Sequence, residues 1–178
     1  MSIAKLSAGD KLPEVFNAII EIPANNGRVK YEVHKKTGLL TVDRFMPTAM
    51  YYPCNYGFVP STLAEDGDPL DILVFTPEPL QPASLIKVRP VGMLRMTDES
   101  GEDCKILSVP TKKVCVELAN IKDIEDLPDS LLDRLVHFFE QYKALEPHKW
   151  VKVDGWESKA VAKKALLESV RRFRKPVD

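Results

Sequence analysis

Apolar and polar positions change period along this chain. Val15–Ile22 is a mostly apolar run that stops at Pro23, broken only near its end by Glu21, and it predicts a strand. Arg28–Val33 alternates: on a strand, Lys30 and Glu32 take one side while Val29, Tyr31 and Val33 take the other. After a Lys36-Thr37-Gly38 turn, Leu39–Phe45 runs extended and carries Arg44. Ile72–Phe75 is a short apolar strand, Leu85–Met96 offers two strand stretches joined near Pro90 and Gly92, and Lys105–Val109 adds another. Pro47–Pro60, rich in tyrosine, proline and glycine, reads as a loop that displays phenols or packs them over the core edge.

The last third has a helical period. Pro128 sits at a helix start with Asp129 in the first turn. Leu131, Leu135, Phe138, Tyr142 and Leu145 then form a stripe, widened by Leu132 and Phe139, up to Pro147. A second helix is predicted from about Ser158, with Ala162, Leu166, Val170 and Phe173 on one side and Arg171, Arg172, Arg174 and Lys175 at its end. Several short strands followed by two helices predict an α+β fold with a small closed or strongly curved sheet.

Composition narrows the class. A length of 178 residues suggests one domain spanning 1–178. The net charge of −1 points to neither nucleic acid nor membrane. Cys54, Cys104 and Cys115 are scattered and odd in number, which suits a reducing compartment. Met1–Lys5 has no apolar leader segment, so the expected location is cytoplasmic.

The chemistry concentrates in Asp66-Gly67-Asp68-Pro69-Leu70-Asp71-Ile72. Gly67 permits turn angles closed to other residues and Pro69 fixes its own φ, so a stiff turn crowds three carboxylates together. Such groups repel one another, and a hard divalent cation such as magnesium relieves the repulsion. No lysine or arginine occurs from Phe45 to Ile86, and Asp98, Glu99, Glu102 and Asp103 form a second acidic cluster. Lys30, Arg44, Lys105 and Lys143 stand where they could face the same cleft. Divalent metals beside lysine and arginine suit a phosphate-bearing anion, so the residues alone suggest metal-assisted phosphoryl hydrolysis or transfer. P-loop, dinucleotide-binding, nucleophile-elbow and EF-hand patterns are absent: Asp71 stands where an EF-hand needs glycine and Pro77 where it needs glutamate. The competing readings are a nucleic-acid-binding barrel that stacks bases on its tyrosines, which the aspartates would oppose, and a metal-regulated interaction module. His137 reads as a structural residue, and Glu99 and Glu102 remain ambiguous.

The acidic turn, Ile20-Glu21-Ile22-Pro23, Lys30-Tyr31-Glu32, Asp43-Arg44-Phe45, Tyr52-Pro53-Cys54-Asn55-Tyr56-Gly57, Met96-Thr97-Asp98-Glu99 and Gly101-Glu102-Asp103-Cys104-Lys105 occur in one order along the chain. His137-Phe138-Phe139-Glu140, Tyr142-Lys143, Lys149-Trp150-Val151-Lys152 and Gly155-Trp156 continue it. In these motifs the chain resembles the soluble family I inorganic pyrophosphatases from about residue 12 to 157. The resemblance implies Mg²⁺-dependent hydrolysis of pyrophosphate to two orthophosphates. It implies Asp66, Asp71 and Asp103 as main metal ligands, with Asp98 for metal that arrives with substrate. Asp68 would be the general base for a metal-bridged water. Lys30, Arg44, Tyr56, Lys105, Tyr142 and Lys143 would hold the phosphoryl groups, Glu21 and Glu32 would act through water, and Tyr52 would support the site through its hydroxyl. The implied fold is a five-stranded OB-like β-barrel with two helices, and the short bacterial-type chain implies a homohexamer. Periodicity alone places Tyr142 in the core and Lys143 in solvent; only the resemblance sends both to the cleft.

Overall fold

The computed structural model describes residues 6–174. Lys175 and the segment Met1–Lys5 lie outside them. Among the described residues nine strands and two α-helices run in the order β1 (Phe16–Ile22), β2 (Val29–Val33), β3 (Leu40–Phe45), β4 (Asn55–Phe58), β5 (Asp71–Val74), β6 (Leu85–Asp98), β7 (Gly101–Glu102), β8 (Lys105–Pro110), α1 (Asp129–Gln141), β9 (Val151–Ser158) and α2 (Lys159–Arg174). The fold is α+β.

In the main sheet β1 pairs with β4, β4 with β5, β5 in parallel with β8, and β8 with β6; β6 pairs again with β1 and also carries β7 and β9. Both faces of its centre are covered. On β5, Leu73 packs into the cluster beneath α1, with Leu107, Leu135 and Phe138. Its neighbours Ile72 and Val74 pack with Ile106, Ala162 and Leu166 beneath α2. The period-2 alternation of a strand sends successive residues to opposite layers, which explains why Ile72–Val74 and Ile106–Leu107 are apolar at consecutive positions. The hairpin β2–β3 forms a separate two-stranded sheet, attached through Val33, which packs with Ile19 and Phe58.

Four elements differ from the sequence reading. Asn55–Phe58, expected in a loop, is a strand. Buried Asn55 fixes it, donating to the Val74 carbonyl at 2.9 Å and accepting from the Ala24 and Leu80 amides. Gly57 lets β4 press against β1, where a Cβ would stand 1.9 Å from the Ile19 carbonyl oxygen. The two stretches in Leu85–Met96 are one 14-residue strand, β6. A register shift between Pro90 and Gly92 absorbs the missing proline N–H. Strands β7 and β9 were not anticipated.

Both helices bury their predicted stripes, except at the ends. Leu131, Leu135, Phe138 and Phe139 are buried. Helix α1 nonetheless stops at Gln141, and residues 142–148 form successive turns, leaving Leu145 exposed. Ala162, Leu166 and Val170 are buried in α2, whereas Phe173 is half-exposed at its end. His137 is exposed on the outer face of α1, beside Asp133, Glu140 and Trp156. The three cysteines are free.

Candidate active site

The acidic segment is a hydrogen-bonded turn. Gly67 has φ +90°, in the region glycine favours. The Asp68 amide donates to Asp66 Oδ1 at 2.9 Å, and the Ala64 amide donates to the Asp68 carbonyl at 2.7 Å. Thr62 Oγ1 accepts from the Leu70 amide at 2.9 Å and leads the chain into β5. The parallel register then sets Asp71 against Lys105 of β8. The tight β6–β7 hairpin pairs Asp98 with Gly101, and the Asp103 amide donates to the Met96 carbonyl at 2.9 Å, so the second acidic cluster returns to the same place. On the β2–β3 hairpin a register shift beyond Lys30 sets Arg44 opposite it. Tyr142 and Lys143 follow α1, where the Tyr142 amide caps the helix by donating to the Phe138 carbonyl at 2.8 Å.

Every residue to which the resemblance gives a site role lines one cleft of about 400 Å³: Asp66, Asp68, Asp71, Asp98 and Asp103, then Lys30, Arg44, Lys105 and Lys143, then Tyr52, Tyr56, Tyr142, Glu21 and Glu32. Tyr142 is both core and cleft residue. It stacks on Phe138 with centroids 5.2 Å apart, yet its edge borders the cavity. Lys143 is buried, not solvated, because Asp98 Oδ2 accepts from it at 2.6 Å. The Tyr52 hydroxyl donates to Met46 Sδ at 3.9 Å, and its ring packs on Phe138 and Tyr56.

The charges interlock. Lys105, 2% exposed, donates to Asp71 Oδ2 at 2.6 Å and to Asp103 Oδ1 at 2.8 Å. Burial alone would pull its ammonium down; Asp71 and Asp103 outweigh burial and hold it well above the ordinary lysine value. Tyr56 donates to the same Asp71 oxygen at 2.6 Å. Burial, and then the negative charge of Asp71, push its phenol well up. Asp71 itself is pushed up by burial, against the pull of Lys105, with Asp103 adding to the rise. Glu21 is raised to about 7 by burial, although it accepts from the Val33 amide at 2.7 Å. Lys30 pairs with Glu32 at 2.6 Å and Asp43 at 3.4 Å, and Arg44 pairs with Asp43 at 2.6 Å and Glu146 at 3.4 Å.

Some cleft residues carried no decisive sequence signal. Glu99 lies in the wall between Lys143 and Lys149; burial would raise its carboxyl, but Lys149 and Lys143 bring it down to about 2. Lys35 and Lys149 line the cleft as well. Glu102 does not; it lines a neighbouring cavity of about 180 Å³ between the acidic turn and α2. At the end of α2, Arg172 Nη1 donates to the Leu63 carbonyl at 2.6 Å, which tethers the loop leading to the turn.

Among the described residues no group of three or more His, Cys, Asp or Glu converges as a ready metal-ligand set. Lysine ammonium groups stand among the carboxylates instead. The donors still fit a hard divalent cation. They are all carboxylate oxygens, they face one cavity, and Asp71 and Asp103 share a single buried ammonium while Asp103 still raises Asp71. Further positive charge at that point would be welcomed.

A family model described as inorganic pyrophosphatase matches residues 18–174. The inorganic pyrophosphatase of Yersinia pestis is 56% identical over 175 residues, covering 98% of this chain and 100% of the relative. That of Escherichia coli K12 is 55% identical over 174 residues, 98% of this chain and 99% of the relative. The solved structure of an inorganic pyrophosphatase from Coxiella burnetii has a TM-score of 0.93 at 59% identity, with 95% of this chain and 100% of that one covered. One from Thermus thermophilus has a TM-score of 0.92 at 43% identity, covering 98% and 100%. Fold and relatives together define an α+β hydrolase, and its main cleft interleaves carboxylates with ammonium and guanidinium groups. More narrowly, the chain belongs to the inorganic pyrophosphatase family. No helix among the described residues is long and apolar enough to cross a membrane.

Proposed function

We propose that this chain hydrolyses inorganic pyrophosphate to two orthophosphates with Mg²⁺. The observation that carries the reading is the single cleft in which aspartates from two distant segments, Asp66–Asp71 and Asp98–Asp103, meet Lys30, Arg44, Lys105 and Lys143. A site that offers oxygen ligands to dications beside fixed cations suits a compact polyanion.

Asp66, Asp71 and Asp103 would hold the resident Mg²⁺, and Asp98 would take up metal that arrives with the substrate. Bound there, Mg²⁺ would neutralise phosphoryl oxygens and acidify water near neutral pH. Lys30, Arg44, Lys105 and Lys143, with the hydroxyls of Tyr56 and Tyr142, bind phosphoryl oxygens and orient the P–O–P bridge. Asp68, on the hydrogen-bonded turn, accepts the proton of the attacking water as its oxygen bonds to phosphorus and the bridge bond breaks. Glu21, buried on β1, and Glu32, exposed on β2, orient water beside Lys30, and Tyr52 supports the site by packing against Tyr56. Lys105 keeps Asp71 and Asp103 from repelling each other when metal is absent.

The pairing circuit β1–β4–β5–β8–β6–β1 supports reading the main sheet as a closed five-stranded barrel of the OB kind. We read residues 1–178 as one domain, cytoplasmic, and self-associating as a homohexamer; sedimentation of the purified protein tests the last point. The function is tested by phosphate release from pyrophosphate, with and without Mg²⁺. Release that requires the metal supports it, and no metal-dependent release overturns it.

A further inference from the structure

We propose that Lys35 is a further substrate-binding residue: it holds Asp68 across the mouth of the cleft and passes to a phosphoryl oxygen when pyrophosphate enters. The inference rests on the reading of the cleft given above.

Lys35 opens the turn 35–37 that joins β2 to β3. The His34 amide donates to the Leu39 carbonyl at 2.8 Å and the Gly38 amide to the His34 carbonyl at 2.7 Å, so the tip of the hairpin is well formed. The hairpin pairs only with itself, and apart from Lys30, Glu32, Val33 and Arg44 it reaches the cleft through this lysine. Lys35 Nζ stands 2.6 Å from Asp68 Oδ1, so the pair ties the hairpin tip to the acidic turn.

The other lysines at this site are committed. Lys105 serves Asp71 and Asp103, Lys143 serves Asp98 and Glu99, Lys149 serves the largely buried Glu99, and Lys30 serves Glu32 and Asp43; removing Lys105 or Lys143 would strand a carboxylate that is largely out of solvent. Lys35 has Asp68 as its one carboxylate partner among the described residues, and the two side chains are 59% and 71% exposed. Exposed pairs of this kind are weakly held, and the four-carbon lysine stem moves without disturbing any packed group. A phosphoryl group offers several charged oxygens, against the single oxygen it takes from Asp68, so a bound pyrophosphate wins the ammonium. The transfer also vacates an acceptor oxygen of Asp68 at the moment an attacking water needs one. Substrate capture and exposure of the proposed base become one event.

The test compares Lys35→Met and Lys35→Arg with the unmodified protein. Steady-state hydrolysis is measured in saturating Mg²⁺, and methylenebisphosphonate, whose P–C–P bridge resists hydrolysis, is titrated by calorimetry. A contact present equally in bound substrate and transition state changes KM and leaves kcat. Lys35→Met is expected to raise KM roughly 5- to 20-fold, with kcat within about twofold, and to weaken the bisphosphonate by a similar factor. Lys35→Arg recovers most of both. Unchanged KM and unchanged bisphosphonate affinity in Lys35→Met overturn the proposal, even if the melting temperature falls. A drop in kcat at constant KM overturns it too. If the unmodified protein releases no phosphate, the reading of the cleft fails on its own, and the calorimetric comparison still decides whether Lys35 binds the anion.

Discussion

Lys105 and Asp71 face each other in register on the parallel strands β8 and β5, with Nζ 2.6 Å from Oδ2. Backbone pairing, not side-chain chance, fixes this contact, and it brings Asp103 to the same ammonium at 2.8 Å. The centre of the site is therefore a partly buried carboxylate pair bridged by one buried lysine.

Replacing Lys105 with methionine keeps most of the buried stem and removes the charge. Without Mg²⁺, Asp71 and Asp103 are then uncompensated, and the variant should lose on the order of 3 kcal/mol of stability. Mg²⁺ should restore more stability to Lys105→Met than it adds to the unmodified protein, because the ion replaces the missing charge. Urea unfolding with and without Mg²⁺ measures both. Equal Mg²⁺ stabilisation of the two proteins would contradict the account.

Glu21 gives a pH signature. Its carboxyl lies near 7 in the fold against 4.5 in the reference state, so the folded chain holds this proton more tightly. Its contribution to stability is fully present below about pH 4.5, is lost as pH rises toward 7, and stays lost above. Glu21→Gln removes the penalty of the buried charge. In metal-free urea melts, the variant should gain about 1–3 kcal/mol relative to the unmodified protein between pH 5 and pH 8. A difference that does not change with pH would be inconsistent with a buried, proton-holding Glu21.

Gly57→Ala tests the strand that carries Tyr56. A Cβ would stand 1.9 Å from the Ile19 carbonyl oxygen, so β4 must separate from β1. The expected cost is about 3 kcal/mol or more, with loss of hydrolysis because Tyr56 moves with its strand. Circular dichroism melts check the first effect, and phosphate release the second. A variant as stable as the parent would mean that β4 does not lie against β1 as described.

Much of this fold was legible because burial is periodic. The Leu131–Leu135–Phe138 stripe and the alternation of Val29, Tyr31 and Val33 follow from geometry that any helix or strand obeys. Strand β4 was not legible: Asn55-Tyr56-Gly57 has turn composition, and only its tertiary neighbours, the Val74 carbonyl and the Ile19 backbone, make it extended. Strand β9 mixes charged and apolar positions around Gly155, whose φ of +126° breaks any simple pattern. At the site, the crowded turn announced its carboxylates locally. Lys35 and Glu99 could not be told from solvated charges, since their partners Asp68 and Lys149 lie 33 and 50 residues away. Tyr142 and Lys143 needed the early end of α1 at Gln141, whose consequence shows only in three dimensions.

Calcium should be a poor substitute for magnesium. It accepts more ligands at longer distances, and this loosens the placement of water against phosphorus. Phosphate release in Ca²⁺ alone should fall at least about a hundredfold below release in Mg²⁺. Comparable rates in the two metals would contradict a site that works through tight octahedral geometry.

The central claim is that carboxylates some thirty residues apart share the same dications, and counting bound Mn²⁺ by electron paramagnetic resonance tests it most directly. Asp71→Asn and Asp103→Asn, one from each acidic segment, should each lose the same tight site while retaining the fold by circular dichroism. If Asp103→Asn binds as many ions as the unmodified protein, with equal affinity, the two segments do not build one metal centre and the account fails.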